Sequence, residues 1–532
     1  MRSFDKRNVF NLSRENKFTC NMGQLIPVFA DEALPGDKWK FKSDFVLRLA
    51  PMLAPMMHNV NAYVHYFKVP VRLLFDKWEQ FITGGKDNND ATPPPMVDAP
   101  ADTGWPVGSL ADFLGCPTGV KGLRSSALPF RAYAKIYNDW YRDENLIDEL
   151  PMSTDEGTDT ITNTALQRRA WQKGYFTNSL PWPQRGDPVF LPLGQEAAVS
   201  GVAYNESGEA LKLRVPNNFV DGNPRDDYYW KGVGQNDRYL FFNKSPSVDD
   251  VAMTNYTSVS RPTGVALPDA GSSNVKVSGT ADLTTATSIT VDALRSAIQL
   301  QLFGNLVGRA GYRYVEYLKA MFGVTSSDAR LQRSEYLGGF KCPIMISEVL
   351  QTSATDQTSP QGNMSGHGIA AQSSRVFKTF FEEHCIVIGL LSIMPKAGYS
   401  QGLPRRWSRQ TRYDYYVPVL AHLGQQAVLN KEIYAQGTEA DDGIFGYQDR
   451  YDEYRQAEDE VHGQFRTTLD FWTMNRTFDK LPGLNKDFVE CNPTKRVFAV
   501  PSEDVCIVDM YHKVKAIRPL PKFGDPGFMD HY

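Results

Sequence analysis

The stretch RRWSRQTRYDYY, residues 405–416, has the side chains of a nucleic-acid-binding surface. It holds four arginines and four aromatic residues against a single acid. Guanidinium groups neutralise phosphates, and aromatic rings stack on bases. In an extended strand, Trp407, Tyr413 and Tyr415 share one face, while Arg406 and Arg412 lie on the other. The same pattern suits a strand with an aromatic face packed in a core and arginines paired with acids of a neighbouring subunit. Both interpretations stay open at this point.

Two further basic clusters lie near the two ends of the sequence. Their members are an N-terminal arm of Arg2, Lys6, Arg7, Arg14 and Lys17, and a C-terminal run of Lys513, Lys515, Arg518 and Lys522. The whole chain nevertheless has a formal net charge of −4. This balance argues against a protein whose entire surface binds nucleic acid, and it favours a basic lining on an otherwise acidic body.

Candidate catalytic and metal-binding groups are sparse. Glu382-Glu383-His384-Cys385 places four possible ligands in a row, but consecutive residues of a strand alternate between its faces. Asp441-Asp442 lies in a Gly-rich loop, and His58 and His65 have no partner carboxylate pattern nearby in sequence. No phosphate-binding glycine loop, zinc-protease or serine-hydrolase motif occurs. We therefore predict no catalytic residue, no metal site and no cofactor.

Length and composition indicate a large folded protein. The chain has 532 residues, of which 42% are hydrophobic, 12% aromatic and 22% charged. This length predicts one large elaborated domain or two to three domains. No apolar run approaches the roughly 18 residues that span a bilayer, and the first residues lack the apolar region of a secretory signal. Six scattered cysteines without a CxxC pair predict free thiols.

Strand patterns occupy both ends of the chain. DFVLRLAP (44–51) alternates, whereas VNAYVHYFKVP (60–70) and CIVIGLLSIMP (385–395) are apolar on both faces. We also predict strands in TRYDYYVPVLA (411–421), RVFAVP (496–501) and EDVCIVDMYHKVKAIRPLP (503–521).

Helical patterns lie between these strands. They predict a short helix in residues 73–85 that ends at Gly84, and an aromatic-striped helix in residues 130–148. Residues 290–323 predict two helices interrupted by Gly304, Gly308 and Gly311. Residues 190–288, which precede these two helices, are rich in Gly, Ser and Thr. This stretch is too long for an ordinary connection and predicts an inserted subdomain. Together these elements favour an antiparallel β-sandwich or jelly roll with expanded connections.

Long blocks of the chain carry a resemblance to a known family. They are FTCNMGQLIPV (18–28), EALPGDKWKF (32–41), residues 49–85, FGVTSSDARLQRSEYLGG (322–339), residues 401–434, YDEYR (451–455) and HKVKAIRPLPKFGDPGFMDH (512–531). The chain resembles the major capsid proteins of the Microviridae, small tailless icosahedral phages with circular single-stranded DNA, and looks closest to the gokushovirus branch. Residues 190–288 match poorly, and residues 458–474 match loosely.

The resemblance implies a mainly β fold, an eight-stranded antiparallel jelly roll with large loop and helical insertions. It divides the chain into residues 1–189, the first part of the jelly roll, residues 190–288, a surface insertion near the threefold axes that faces the host, and residues 289–532, a helical insertion and the last part of the jelly roll. It implies a structural subunit of a T=1 shell, assembled in the host cytoplasm and located in the virion, with no enzymatic activity.

The resemblance also implies partners. They are further copies of the chain, the packaged single-stranded DNA, a small basic internal DNA-binding protein, minor virion proteins and a bacterial surface receptor. On this basis Arg405, Arg406, Arg412, Lys513, Lys515 and Arg518 are candidates to face the DNA or a neighbouring subunit. The alternative from the residues alone is a β-sandwich protein that binds or cleaves glycans with a carboxylate pair and aromatic platforms.

Overall fold

The computed structural model describes residues 7–86, 88–186, 291–311, 313–350 and 364–522, together with six short strands between residues 199 and 281. Arg2 and Lys6 of the N-terminal arm lie outside the described residues, as does most of the predicted insertion 190–288. By contacts the chain divides into two compact units. One comprises residues 1–188 and 302–532, and the other comprises residues 189–301.

Strands dominate the larger unit. In chain order they are β1 (Asn8–Asn11), β2 (Arg14–Cys20), β3 (Ile26–Ala33), β4 (Lys38–Leu49), β5 (Val60–Pro70), β6 (Met96–Asp98) and β7 (Arg124–Ser126), followed after the smaller unit by β14 (Glu335–Pro343), β15 (Met345–Leu350), β16 (Met364–Phe380), β17 (Cys385–Pro395), β18 (Gln425–Leu429), β19 (Ile444–Asp449) and β20 (Cys506–Arg518). The smaller unit contributes β8 (Val199–Ser200), β9 (Tyr204–Asn205), β10 (Tyr229–Gly232), β11 (Tyr239–Phe242), β12 (Val275–Lys276) and β13 (Thr280–Ala281), which pair antiparallel as β8–β13, β9–β12 and β10–β11.

Helices are few among the described residues, and all but α4 are short. They are α1 (Trp78–Thr83), α2 (Leu110–Phe113), α3 (Leu128–Ile136), α4 (Val291–Ala310), α5 (Tyr314–Phe322), α6 (Asn430–Ile433) and α7 (Lys486–Val489). A single π-helical turn, Tyr137–Tyr141, extends α3. None of these helices is long and apolar enough to cross a bilayer.

Two antiparallel sheets form the centre of the larger unit. In the six-stranded sheet, β20 pairs on one side with β1 and β2 and on the other with β4, followed by β16 and β15. The four-stranded sheet has the order β14–β5–β17–β3. The fold is therefore mainly β with antiparallel sheets, as the sequence predicts.

The largest core lies between the inner faces of these sheets. Phe41 of β4 approaches Tyr66 of β5 with ring centroids 4.7 Å apart, and it stacks on Phe377 of β16 at 4.8 Å. In β4 the buried side chains alternate strictly with exposed ones along most of the strand, which confirms the predicted alternation in residues 44–51. Every residue of β17 is buried, as predicted for a strand covered on both faces.

A second core covers the outer face of the four-stranded sheet. Ile386, Ile388 and Leu390 of β17 point into it, while their neighbours Val387 and Leu391 point into the first core. The second core is completed by side chains of α3, among them Phe130, Tyr133 and Ile136. The aromatic stripe predicted for residues 130–148 is confirmed as a core-facing helix up to Tyr141, where the π-helical turn ends, and residues 142–148 are not helical.

Local turn and helix predictions are mixed. Gly84 ends α1 with a φ of +78°, as predicted. Gly36 turns the chain before β4 with a φ of +86°. Gly304 and Gly308 do not interrupt a helix, since α4 runs through both and ends before Gly311 at φ +93. An isolated glycine costs a helix only about 1 kcal/mol, so the helical neighbours prevail.

Two predicted strands are wrong. Residues 411–421 form 3-10 turns, and residues 496–501 form turns with only an isolated bridge from Phe498 to Met52. Val497 and Phe498 are nevertheless buried, so their apolar character reflects the core and not a strand. The six cysteines are all free.

His512 of β20 is a buried polar residue between the two sheets. Its Nε2 lies 3.0 Å from the Val28 carbonyl oxygen, and its Nδ1 lies 3.3 Å from the Ser43 hydroxyl. A neutral ring satisfies both contacts by donating through Nε2 and accepting at Nδ1. Burial lowers the pKa of His512 to about 4, with the Arg14 guanidinium adding to the effect.

We predict that His512 makes the fold less stable as pH falls from about 6.5 to 4. Between these pH values His512 is protonated in the unfolded chain but not in the folded one. The free energy of unfolding therefore falls with pH, by about 3 kcal/mol in all. Urea unfolding at pH 6.5, 5.5 and 4.5 should show a flatter pH dependence for His512→Gln than for the wild type. His422→Gln, at an exposed position, serves as control and should keep the wild-type slope. Equal slopes for wild type and His512→Gln would contradict the prediction.

Candidate nucleic-acid and subunit interface

Residues Arg405–Tyr416, which we call the aromatic–arginine segment, do not form the predicted strand. The chain makes 3-10 turns at Arg405–Trp407 and Arg412–Asp414. Asp414 accepts hydrogen bonds from the Thr411 backbone N–H at 2.8 Å and from its hydroxyl at 3.0 Å, which closes a capping box. Pro404 and Pro418 flank the segment, and proline cannot donate to a strand ladder. These local bonds outweigh the β propensity of the aromatic residues.

Arg405 anchors the segment to the interior. Its Nη1 donates to the Glu432 carboxylate at 2.9 Å and to the Ala427 carbonyl at 2.7 Å. Glu432 is almost fully buried and also accepts from the Tyr175 hydroxyl at 2.8 Å. Burial raises the pKa of Glu432, while the Arg405 charge opposes that rise. Arg405 is therefore an internal ion-pair residue of this subunit.

Arg409 makes a second attachment, to the YDEYR stretch at residues 451–455. Its guanidinium lies over the rings of Tyr415 at 5.1 Å and Tyr454 at 4.8 Å. Its Nη2 lies 3.7 Å from the Glu453 carboxylate, and both side chains are largely buried. Planar guanidinium groups stack well on aromatic faces, so Arg409 holds two rings in fixed orientation.

Tyr451 fixes the backbone of the segment. Its hydroxyl lies 3.1 Å from the Tyr413 carbonyl oxygen and 3.0 Å from that of Tyr415. Arg450 donates to the same Tyr413 carbonyl at 2.6 Å. Tyr451 has a φ of +63, a conformation that residues other than glycine rarely adopt. The buried side chain and its hydrogen bonds hold this backbone in place.

The aromatic residues of the segment are exposed on the subunit. Trp407 is 69% exposed, and Tyr413 and Tyr415 are 50% and 56% exposed. Arg406 lies over Trp407 and pairs with Glu460, and Arg412 lies over Tyr413 at 4.7 Å. The interpretation in which Trp407, Tyr413 and Tyr415 pack into the subunit's own core is therefore wrong. They form a rigid surface of rings and guanidinium groups.

A second basic surface lies on the outer face of the six-stranded sheet. We call it the basic sheet face, and it consists of Lys38, Lys40 and Lys42 of β4, Arg375 and Lys378 of β16, and Lys513 and Lys515 of β20, all exposed. In the register, Lys42 lies opposite both Arg375 and Lys513, and Lys40 lies opposite both Lys378 and Lys515. Two rows of three cations thus cross the sheet.

The C-terminal basic run divides between this face and the interior. Lys513 pairs with Asp44, which raises the pKa of the lysine and lowers that of the carboxyl. Lys515 lies opposite Lys40. Arg518 instead pairs with the fully buried Asp37 at 2.9 Å and lies over Trp39, so it holds the end of β20 against the start of β4.

The N-terminal arm divides in the same way. Arg7 lies over the ring of Phe380, at the end of the basic sheet face. Arg14 pairs with Asp31 at 2.8 Å and lies over Phe29, and Lys17 pairs with Glu15 at 2.8 Å. Arg7 therefore borders the basic sheet face, and Lys17 lies on the same side of the sheet, opposite Asp509 and outside the two rows of cations.

The sequence reasoning missed Lys38, Lys40 and Lys42. Their signal is the alternation KWKFK, in which Trp39 and Phe41 are buried and each lysine is exposed. Alternate residues of a strand lie on opposite faces, and here every residue opposite the apolar face is a lysine. The pattern therefore predicts a basic outer face. Arg375 and Lys378 have no such local signal, because a β-bulge between Arg375 and Phe377 shifts their spacing from two residues to three.

A carboxylate pair that the sequence did not suggest lies beside Gly311. Burial and the neighbouring Glu144 raise the pKa of Glu316 to about 7. Arg313 lies 3.8 Å from Glu144 and 3.6 Å from Glu316, and it donates to the Asn138 carbonyl at 2.9 Å. These groups line a cavity of about 470 Å³. Since Arg313 bridges both carboxylates and the backbone, the cluster fastens α5 to the π-helical turn.

The other candidate ligands separate in space. Glu383 pairs with Arg72, the His384 ring packs on Trp78 at 5.2 Å, and Cys385 enters the main core. Among the described residues, no group of three or more potential ligands could hold a metal ion.

His58 and His65 have internal partners. His58 Nε2 lies 2.7 Å from the Lys396 carbonyl oxygen, and His65 Nδ1 lies 2.8 Å from the Tyr141 hydroxyl. Burial lowers the pKa of both histidines, to about 4 for His65.

Comparisons with known proteins agree over nearly the whole chain. A sequence model of the protein family described as "Capsid protein (F protein)" matches residues 2–528. Three relatives, each named capsid protein VP1, come from Bdellovibrio phage phiMH2K, Chlamydia phage 1 and Spiroplasma virus 4. The Bdellovibrio phage protein is 38% identical, over 98% of this chain and 95% of its own length. The Chlamydia phage protein is 36% identical, over 98% of this chain and 96% of its own length. The Spiroplasma virus protein is 32% identical, over 95% of this chain and 92% of its own length.

We predict that Glu432→Ala destabilises the subunit by about 3–5 kcal/mol, because it leaves the Arg405 guanidinium buried without a counter-ion. The double variant Arg405→Met/Glu432→Met should lose much less, since no unpaired charge remains. The free energy of unfolding, measured with urea, checks both. Asp442→Ala is the control, because Asp442 pairs with Lys431 but is 76% exposed, and its loss should stay below about 1 kcal/mol. A loss equal to the control's for Glu432→Ala would refute the anchoring role.

Proposed function

Because the chain belongs to the family of phage capsid proteins described as F proteins, we propose that it builds a T=1 icosahedral shell around a circular single-stranded DNA genome. It is a structural protein of the virion, it is not an enzyme, and it assembles with copies of itself. The observation that carries the proposal is the match over residues 2–528, which includes every strand of the two central sheets.

The two central sheets are proposed to be the eight-stranded jelly roll of this shell. Strands β2, β20, β4 and β16 are neighbours in one sheet, and β3, β17, β5 and β14 are neighbours in the other. Along the chain the eight strands alternate between the sheets, except where β5 is followed by β14 in the same sheet. This order suits the two Greek keys of a jelly roll. Strands β1 and β15 then extend the edges of one sheet, and the longest connections follow β5 and β17.

The insertion 190–288 is proposed as the host-facing part of the particle, between the jelly-roll parts 1–189 and 289–532. It falls within the connection from β5 to β14, and residues 189–301 form a compact unit of their own. A separate unit within one connection can vary without changing the sheets. Its proposed partner is a receptor on the bacterial surface.

The aromatic–arginine segment is proposed as a contact with a neighbouring copy of the chain. Tyrosine, tryptophan and arginine are enriched at protein interfaces, and aromatic anchors lose little conformational entropy on binding. Arg405 and Tyr451 hold the segment rigid before any partner arrives, which lowers the cost of association further. Arg406 and Arg412 would lie in this contact, whereas Arg405 supports it from within.

The remaining partners follow from the same proposal. They are the packaged DNA, a small basic internal DNA-binding protein and minor virion proteins. The glycan-binding or glycan-cleaving alternative loses its support, since the relatives are capsid proteins and the Glu144–Glu316 pair is bridged by Arg313.

We predict that the chain, expressed in a bacterium with its virion partners, forms uniform icosahedral particles in electron microscopy. A variant with residues 190–288 replaced by a short Gly/Ser linker should still form particles, but its adsorption to host cells should fall at least tenfold. The wild type is the control for both measurements. Monomers alone for the wild type would contradict the shell proposal, and normal adsorption of the linker variant would contradict the host-facing role.

We predict that Trp407→Ala/Tyr413→Ala lowers particle yield at least tenfold, and that Arg406→Ala/Arg412→Ala lowers it less. Both rings are exposed, so the urea midpoint of the free subunit should hardly change. Val107→Ser/Val120→Ser removes two exposed apolar side chains elsewhere and should leave the yield unchanged. A wild-type particle yield from the aromatic variant would remove this contact from the proposal.

A further inference from the structure

The basic sheet face places like charges directly opposite one another on neighbouring strands. Arg375, Lys42 and Lys513 form one row, and the next row, two residues along β4 and β20, is Lys378, Lys40 and Lys515. Strands lie about 4.8 Å apart, and alternate residues of a strand are about 6.8 Å apart. Six cations therefore lie on one face of the sheet, and neighbouring cations are within a Debye length of each other at physiological salt.

This arrangement works against folding of the isolated subunit. Like charges directly opposite in a sheet are destabilising, and here each central lysine has two such neighbours. Lys513 is paired with Asp44, whereas the charged groups of Lys40, Lys42, Lys378, Lys515 and Arg375 have no hydrogen bond or ion pair within the described part of the chain. Of the other acids on this face, Glu15 lies opposite Tyr511 and Asp509 lies opposite Lys17 and Val46, so neither lies directly opposite a residue of the rows. Glu15 pairs with Lys17 at 2.8 Å. A chain of net charge −4 thus concentrates cations where they repel.

The chemistry of the face favours a phosphate polymer over an acidic protein surface. Protein interfaces are depleted of lysine in their cores, whereas nucleic-acid interfaces are strongly positive. Here lysines occupy the centre of the face and not its rim. Lysine offers a point charge without a fixed fork, which suits phosphates presented in varied orientations.

Ring faces lie at the border of the rows. The Lys513 ammonium lies 5.3 Å from the centroid of the Tyr511 ring, and the Arg7 guanidinium lies 5.6 Å from that of Phe380, which is 43% exposed. Sequence-independent single-strand binders combine a basic track with aromatic rings on which bases stack.

We propose that the basic sheet face binds the phosphates of the packaged single-stranded DNA without sequence preference. This inference rests on the proposed shell function and adds the surface that contacts the genome. The DNA would neutralise the two rows, so that the repulsion present in the free subunit is relieved inside the particle.

The test uses Lys40→Gln/Lys42→Gln/Lys378→Gln/Lys515→Gln in the full chain. The matched control removes the same charge from exposed positions elsewhere, with Lys121→Gln/Lys319→Gln/Arg330→Gln/Lys480→Gln. Binding of the free subunit to a fluorescent oligo(dT) is measured by anisotropy across a salt series. The slope of log K against log salt should fall by about 3 for the first variant, at about 0.7 per lost phosphate contact, and stay near wild type for the control. The thermal midpoint of the first variant should not fall, since repulsion is removed.

Particles made with each variant separate this inference from the shell proposal. The first variant should form particles that protect less DNA from nuclease, while the control should protect the wild-type amount. Wild-type oligo(dT) binding and DNA content in the first variant would overturn the inference and leave the shell intact. Loss of particles with unchanged oligo(dT) binding would also overturn it and assign the face to a subunit contact. Absence of particles for the wild-type chain would instead count against the shell proposal.

Discussion

The strand from Cys385 to Pro395 contributes alternate side chains to two separate cores, and the rest of the larger unit is arranged around that requirement. Because no side of this strand can meet water, one face must be covered by the six-stranded sheet and the other by α3 and its surroundings. Burying a Leu or Ile side chain contributes roughly 1.5–3 kcal/mol, so its two faces together form one of the strongest local contributions to the fold. The connection between β5 and β14, which contains α3, therefore supplies part of the core of the sheets and is more than a link.

This layering explains why the two rows of cations lie on the six-stranded sheet. Apolar side chains of α3 pack on the outer face of the four-stranded sheet. Along β4 and β20, by contrast, buried and exposed residues alternate, and the exposed side chains form the outer face of the six-stranded sheet. A lysine at a position covered by α3 would be buried. The basic sheet face and the second core are thus two results of the same asymmetry between the sheets.

The sequence predicts the parts of the fold that depend on local pattern. The apolar run at 385–395, the alternation at 44–51 and the aromatic helix that begins near residue 130 each follow from periodicity, although the helix ends at Tyr141 and not at residue 148. The strand predicted within the aromatic–arginine segment is wrong for two reasons. The conformation depends on the distant partners Glu432 and Tyr451, and a capping box competes with strand pairing. The sequence predicts the basic sheet face only in part. The alternation KWKFK indicates the lysines of one strand, whereas the register that places Arg375 and Lys513 opposite Lys42 is a property of the folded sheet.

The position of β20 has a consequence for the order of events during synthesis. This strand, Cys506–Arg518, lies between β2 and β4, both of which belong to the first fifty residues. The first strands of the six-stranded sheet leave the ribosome without the neighbour that must separate them, and some four hundred and fifty residues are added before it appears. Sheet closure must therefore wait for β20, and its very long-range pairing predicts slow folding. Since the rows of the basic sheet face need Lys513 and Lys515, a nascent chain cannot display that surface before β20 has been made and paired.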